Sequence, residues 1–186
     1  MATFKRCKAC GFVIDQEKIK DVCPACGVSA RMFEPYTHPV SLKRRRILEL
    51  HTHPVLVHFP QAFAFTLFFL SFLAFFAPAV LRETLASTIK VLSFLLPFSV
   101  VGAIATGVLD GKIRFRKVTT PLLKKKIVLS LIFLTTSIIM AALALSGELF
   151  SSPTHIIYTL LTMIVSLCGV LAGLIGGELV DAKFPG

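Results

Sequence analysis

Residues 54–81 read PVLVHFPQAFAFTLFFLSFLAFFAPAVL, twenty-eight positions without an Asp, Glu, Lys or Arg. About 20 apolar residues cross the hydrocarbon core of a bilayer as a helix, so this stretch is long enough to span one. A buried helix of a water-soluble protein would be shorter and would carry a polar face. Three more charge-free stretches follow, at 91–109, 127–147 and 149–177. The expected fold is mostly α, a four-helix transmembrane bundle.

The composition agrees. The 186 residues are 55% hydrophobic and 16% charged, and the mean hydropathy is +0.80. These values exclude a disordered chain and argue against an ordinary soluble globule. The net charge of +10 suits basic loops facing the cytoplasm and does not call for nucleic acid. The chain opens MATFKRCKAC, with no apolar run and no small-residue cleavage site, so the first span is expected to act as its own insertion signal.

Lys43, Arg44, Arg45 and Arg46 precede the first span. Lys112, Arg114, Arg116, Lys117, Lys124, Lys125 and Lys126 lie between the second and third. The other two connections carry only Arg82, Glu83 and Lys90, or Glu148. Positive charge stays inside, which places both termini in the cytoplasm and the protein in the inner membrane. Lipid is then an obligatory partner. The expected division is a Cys-rich segment at 1–36, a basic connector at 37–52 and the transmembrane domain at 53–186.

Cys7-x2-Cys10 and Cys23-x2-Cys26 form two pairs of the kind that hold a metal tetrahedrally through four thiolates. In a reducing compartment such pairs bind metal or do redox work rather than form disulfides. Gly11 and Gly27 follow the second cysteine of each pair, as a tight knuckle requires. About 35 residues bury too little to fold alone, so the metal is expected to supply folding energy. Iron and zinc both accept this geometry. Cys168, in mid-membrane, reads as a small buried apolar residue.

CKACGFVID, followed by CPACGVSARMFE, resembles the short rubredoxin-like domain of rubrerythrins over about residues 4–35. The run Phe12-Val13-Ile14 and the pair Phe33-Glu34 carry the likeness beyond the cysteines. The resemblance implies one iron on Cys7, Cys10, Cys23 and Cys26, cycling between ferrous and ferric. For a redox site, Phe12, Pro24 and Phe33 are the residues expected to limit solvent access. A zinc ribbon of similar spacing is the competing reading.

Polar groups at membrane depth are costly and usually functional. His51, His53 and His58 open the first span, Asp110 closes the second and Glu178 the fourth. All three ends fall on one side. HPVLVHFP, with the Asp110-Gly111 end and the GGELV end, resembles an uncharacterised family of four-helix prokaryotic membrane proteins. That resemblance implies a fold and a site but no reaction. His53, His58, Asp110 and Glu178 could serve a haem b, a second metal or a quinone; alternatively, the histidines only cap the helix and the carboxylates mark the water boundary. His155 lies at the opposite end and cannot share a haem with His58. Thr-His-Pro-Val occurs at 37–40 and 52–55, so His38 is a further surface histidine. Gly169, Gly173 and Gly177, with Gly107 and Gly111, form small faces for packing, for a homo-oligomer or for a cofactor cleft.

Taken together, the sequence implies a membrane-bound electron-transfer protein with a soluble redox partner, an oxidoreductase component if an enzyme at all. A zinc-stabilised membrane scaffold or regulator is the alternative, and an ion transporter ranks below it. A hydrolase is disfavoured, because no nucleophile stands near a base in sequence.

Overall fold

The computed structural model describes residues 4–37, 41–116, 119–147 and 149–181. His38, Lys117 and Glu148, which entered the sequence argument, lie outside them. The chain divides into two compact units, the first reaching Arg45 and the second starting at Arg46.

The first unit is a small antiparallel sheet in the order β2-β1-β3, built from β1 (Phe4–Cys7), β2 (Val13–Asp15) and β3 (Phe33–Tyr36). Lys5 lies opposite Ile14, and Cys7 opposite Phe33. Single 3-10 turns at Gln16–Lys18 and Ala30–Met32 join the pieces. Asp15 and Ser29 cap them, accepting the N–H groups of Glu17 and Arg31. Across the sheet, Arg6 Nε donates to Glu34 Oε1 at 3.0 Å. Helix α1 (Leu42–Glu49) follows, inside the stretch expected as a connector.

The second unit is an up-and-down bundle of four helices, each long and apolar enough to span a membrane. They are α2 (Thr52–Ala74), α3 (Ala79–Phe115), α4 (Pro121–Leu145) and α5 (Ser152–Asp181). Each packs on its sequence neighbour, and α2 closes the bundle against α5. Thr120 caps α4 by accepting the N–H of Leu123 at 3.4 Å, with Pro121 in the first turn.

All four expected spans are present, but their limits move. The 54–81 stretch overruns its helix, which ends at Ala74 before the N-cap Pro78 of α3. The second helix extends beyond 91–109 at both ends, taking in Arg82, Glu83, Lys90 and Lys112. Absence of charge marks what can lie in lipid; it does not mark where a helix starts.

Many large apolar residues face outward, while the interior mixes small and polar residues with Leu67, Ile89, Leu96, Met140 and Tyr158. Phe69, Phe76 and Phe98 are each more than 60% exposed, whereas Ala64, Ser71, Ser93, Ser137 and Thr162 are fully buried. That arrangement fits a lipid solvent, where close backbone approach and hydrogen bonds hold helices together. Two sets of interior hydrogen bonds tie α5 to its neighbours, one to α3 and one to α2. Tyr158 OH and Ser93 Oγ share a bond, and Ser93 also donates to Ile89 O. Beside it, Ser71 Oγ and Thr159 Oγ1 lie 2.6 Å apart. His155 is buried, with its Nε2 donating to Ser71 O at 2.9 Å and its ring stacked on Phe75. Cys168 is buried among apolar neighbours, as expected.

Candidate functional site

The two knuckles of the first unit repeat one geometry. Gly11 N–H donates to Cys7 O at 2.9 Å, and Gly27 N–H to Cys23 O at 2.8 Å. Cys7 N–H donates to Phe12 O, and Cys23 N–H to Val28 O, both at 2.8 Å. Both glycines are left-handed, at φ +77° and +75°. Only a residue without a Cβ adopts that turn cheaply, which explains the recurrence of Cys-Gly in the sequence.

The turns bring all four sulfurs within 4.8 Å of one another. Cys7 Sγ lies 3.8 Å from Cys26 Sγ, and Cys10 Sγ 3.8 Å from Cys23 Sγ. A tetrahedron with metal–sulfur bonds of about 2.3 Å has edges of about 3.8 Å, so the cage fits an iron or zinc ion. Each buried sulfur (Cys7, Cys23) is paired across knuckles with an exposed one (Cys26, Cys10). Phe12 and Pro24, next to the knuckles in sequence, are exposed, and Phe33 is half-buried.

The thiols carry the strain of a cage designed for a cation. Burial pushes the Cys23 thiol up. The backbone N–H groups of Cys26 and Ala25, with the Cys26 and Cys10 thiols, overcome this and bring it down to about 7. The N–H of Val28 pulls Cys26 down, but the Cys10 thiol, burial and the thiols of Cys23 and Cys7 together push it up to about 12. Sulfurs this close cannot all ionise without a positive charge among them.

The bundle contains a cavity of about 400 Å³ at the end where α2 and α4 begin and α3 and α5 finish. His53, His58 and Asp110, three of the four expected membrane-site residues, line it; Glu178 is exposed and is not among the lining residues. His53 is held on both nitrogens. Lys126 Nζ donates to Nε2 at 3.2 Å, and Nδ1 donates to Thr106 Oγ1 at 3.4 Å. Lysine has no acceptor, and Thr106 directs its own hydrogen to Gly102 O, so this tautomer satisfies the network. A Cβ on Gly107 would fall 2.9 Å from His53 Cε1, so the glycine is what lets the imidazole sit there. His58 Nδ1 donates to Pro54 O, which leaves Nε2 as an acceptor. Asp110 pairs with Arg114 at 3.3 Å.

Lys126 and Gln61 escaped the sequence reading. Lys126 looked like the last residue of a basic loop, although it lies three residues after the buried Leu123 and seven before the buried Phe133, on the inward stripe of α4. Gln61 Nε2 donates to Gly169 O at 3.1 Å, and a Cβ on Gly173 would lie 3.3 Å from it. The glycine face of α5 therefore accommodates a side chain of α2. Its inward register is 169, 173 and 176, since a Cβ on Gly177 would meet nothing, whereas one on Gly176 would approach Lys126 Nζ.

Residues 6–34 match the family model described as the rubredoxin-like domain of rubrerythrin. No curated protein and no solved structure matches the chain. The protein thus joins a rubredoxin-like four-cysteine metal domain to four membrane-capable helices.

Proposed function

We propose that this is a membrane-bound electron-transfer protein, with iron in the cage of Cys7, Cys10, Cys23 and Cys26. Iron held by four thiolates supplies a one-electron ferric–ferrous couple. The observation that carries the reading is the exposure of Cys10 and Cys26 beside the buried Cys7 and Cys23. A purely structural ion gains from full enclosure, whereas an electron-exchanging one needs an edge that a partner can approach. The N–H groups aimed at Cys23 Sγ stabilise negative charge on sulfur, which is how the protein would tune the potential. The partner is a soluble redox protein that docks at the open edge.

Both termini are assigned to the cytoplasm on the strength of the basic residues before α2 and between α3 and α4. There the cysteines stay reduced and available to metal.

Metal analysis and a visible spectrum test the reading together. The protein as isolated should contain about one iron per chain, show thiolate-to-ferric absorption, and bleach reversibly with dithionite. A colourless, zinc-loaded protein indifferent to dithionite would overturn it in favour of a scaffold.

A further inference from the structure

We infer that the bundle cavity binds the ring of a quinone, with Lys126 and Gln61 as donors to its carbonyl oxygens and His58, an exposed residue of the lining, as the acceptor. The choice of a quinone among neutral ring carbonyl compounds rests on the electron-transfer reading; the site itself rests on the cavity. At about 400 Å³ it lies toward the lower end of the range of roughly 300–1,000 Å³ for small-molecule pockets.

The walls are apolar, with Val57, Ile104, Ile127 and Leu131 among them, which suits a flat ring. The polar groups lie among them as a short set. Lys126 gives one N–H to His53 and keeps two more. Gln61 gives one N–H to Gly169 O and keeps the other. His58 Nε2 retains its lone pair, because Nδ1 is fixed on Pro54 O. Carbonyl oxygens would accept from the first two, and a hydroxyl of the reduced ring would donate to the third.

Other ligands fit less well. Both nitrogens of His53 are engaged, which leaves His58 Nε2 as a single imidazole, one ligand short of a bis-histidine haem. Among the described residues, the four cysteines are where His, Cys, Asp and Glu converge as a metal site. The Asp110 carboxylate, paired to Arg114, lines the same cavity and disfavours an anionic lipid headgroup there by charge repulsion.

The test uses the full chain in detergent, reconstituted with zinc and stripped of quinone by solvent extraction. Decylubiquinone is titrated calorimetrically. One saturable site is expected. Lys126→Met and the cavity-filling Ala172→Phe should each weaken binding at least about tenfold, with Lys126→Arg intermediate and helical circular dichroism retained in all three. Absence of saturable binding, or an affinity unchanged from that of the unsubstituted protein in both Lys126→Met and Ala172→Phe, overturns the proposal. So does displacement of the quinone by phosphatidylglycerol with the same dependence on Lys126. Zinc has no redox chemistry, so loss of the electron-transfer reading would leave this binding result intact, and failure here would leave that reading standing.

Discussion

Gly11 and Gly27 answer to backbone conformation and nothing else. A Cβ at either would meet no atom within 4 Å, yet both sit at positive φ. Gly11→Ala and Gly27→Ala should each cost the metal domain about 1–2 kcal/mol, read as a lower midpoint in chelator or denaturant titration. Gly177→Ala, with equally open surroundings in a helical backbone, should instead stabilise, by up to about 0.5–1 kcal/mol. Cys23 and Cys26 set a pH dependence of opposite sign. The lowered Cys23 thiol favours the metal-free fold above the ordinary thiol range, and that advantage is lost as pH falls through about 7. The raised Cys26 thiol favours the protonated fold below that range, and this is lost as pH climbs toward about 12. Metal uptake must displace the Cys26 proton at neutral pH, and the Cys23 proton as well once pH drops below about 7. Metal affinity should therefore fall on acidification, with log K steepening by one proton per metal near pH 7. Chelator competition across pH 5.5–8.5 (about three units, spanning the Cys23 transition) measures this, and a flat profile would contradict the assignment.

At the scale of elements, β1 and β3 illustrate how weak a visible ion pair can be. Arg6 and Glu34 are 42% and 31% exposed, so Glu34→Gln should cost no more than about 1 kcal/mol. The ion pair goes with the β1–β3 register, in which Arg6 stands opposite Glu34 and Cys7 opposite Phe33. In the bundle, α3 and α5 are joined by the bond between Ser93 and Tyr158. Tyr158→Phe keeps the ring and leaves Ser93 satisfied by Ile89 O, so the loss should be only about 0.6–1.7 kcal/mol, measurable by denaturation in mixed micelles. A loss several times larger would mean that the hydroxyl organises the wider Ser71–Thr159–His155 network.

At the scale of the whole molecule, two units with different sources of stability share one chain. The metal domain has a three-stranded sheet and four thiols that lack a counter-charge without a metal, whereas the bundle holds itself together by burial and interhelical hydrogen bonds. Chelation should therefore unfold the first unit and spare the second. The expected result is loss of amide-exchange protection over residues 4–36, with unchanged protection and helical signal from the bundle; simultaneous melting of both would refute independent stability. Much of this was legible in the chain. Charge-free length alone requires four membrane-competent helices, because unpaired charge is costly in lipid, and the paired Cys-x2-Cys-Gly turns require a metal cage, because local backbone geometry aims the sulfurs. Helix rotation is another matter. Lipid-facing and interior faces are both apolar, so periodicity could not say that Lys126 turns inward onto His53, that Gln61 crosses to the α5 glycines, that Gly176 rather than Gly177 faces in, or that Glu178 stays out. Those outcomes depend on which side chains interlock across helices, and only the packed bundle decides them.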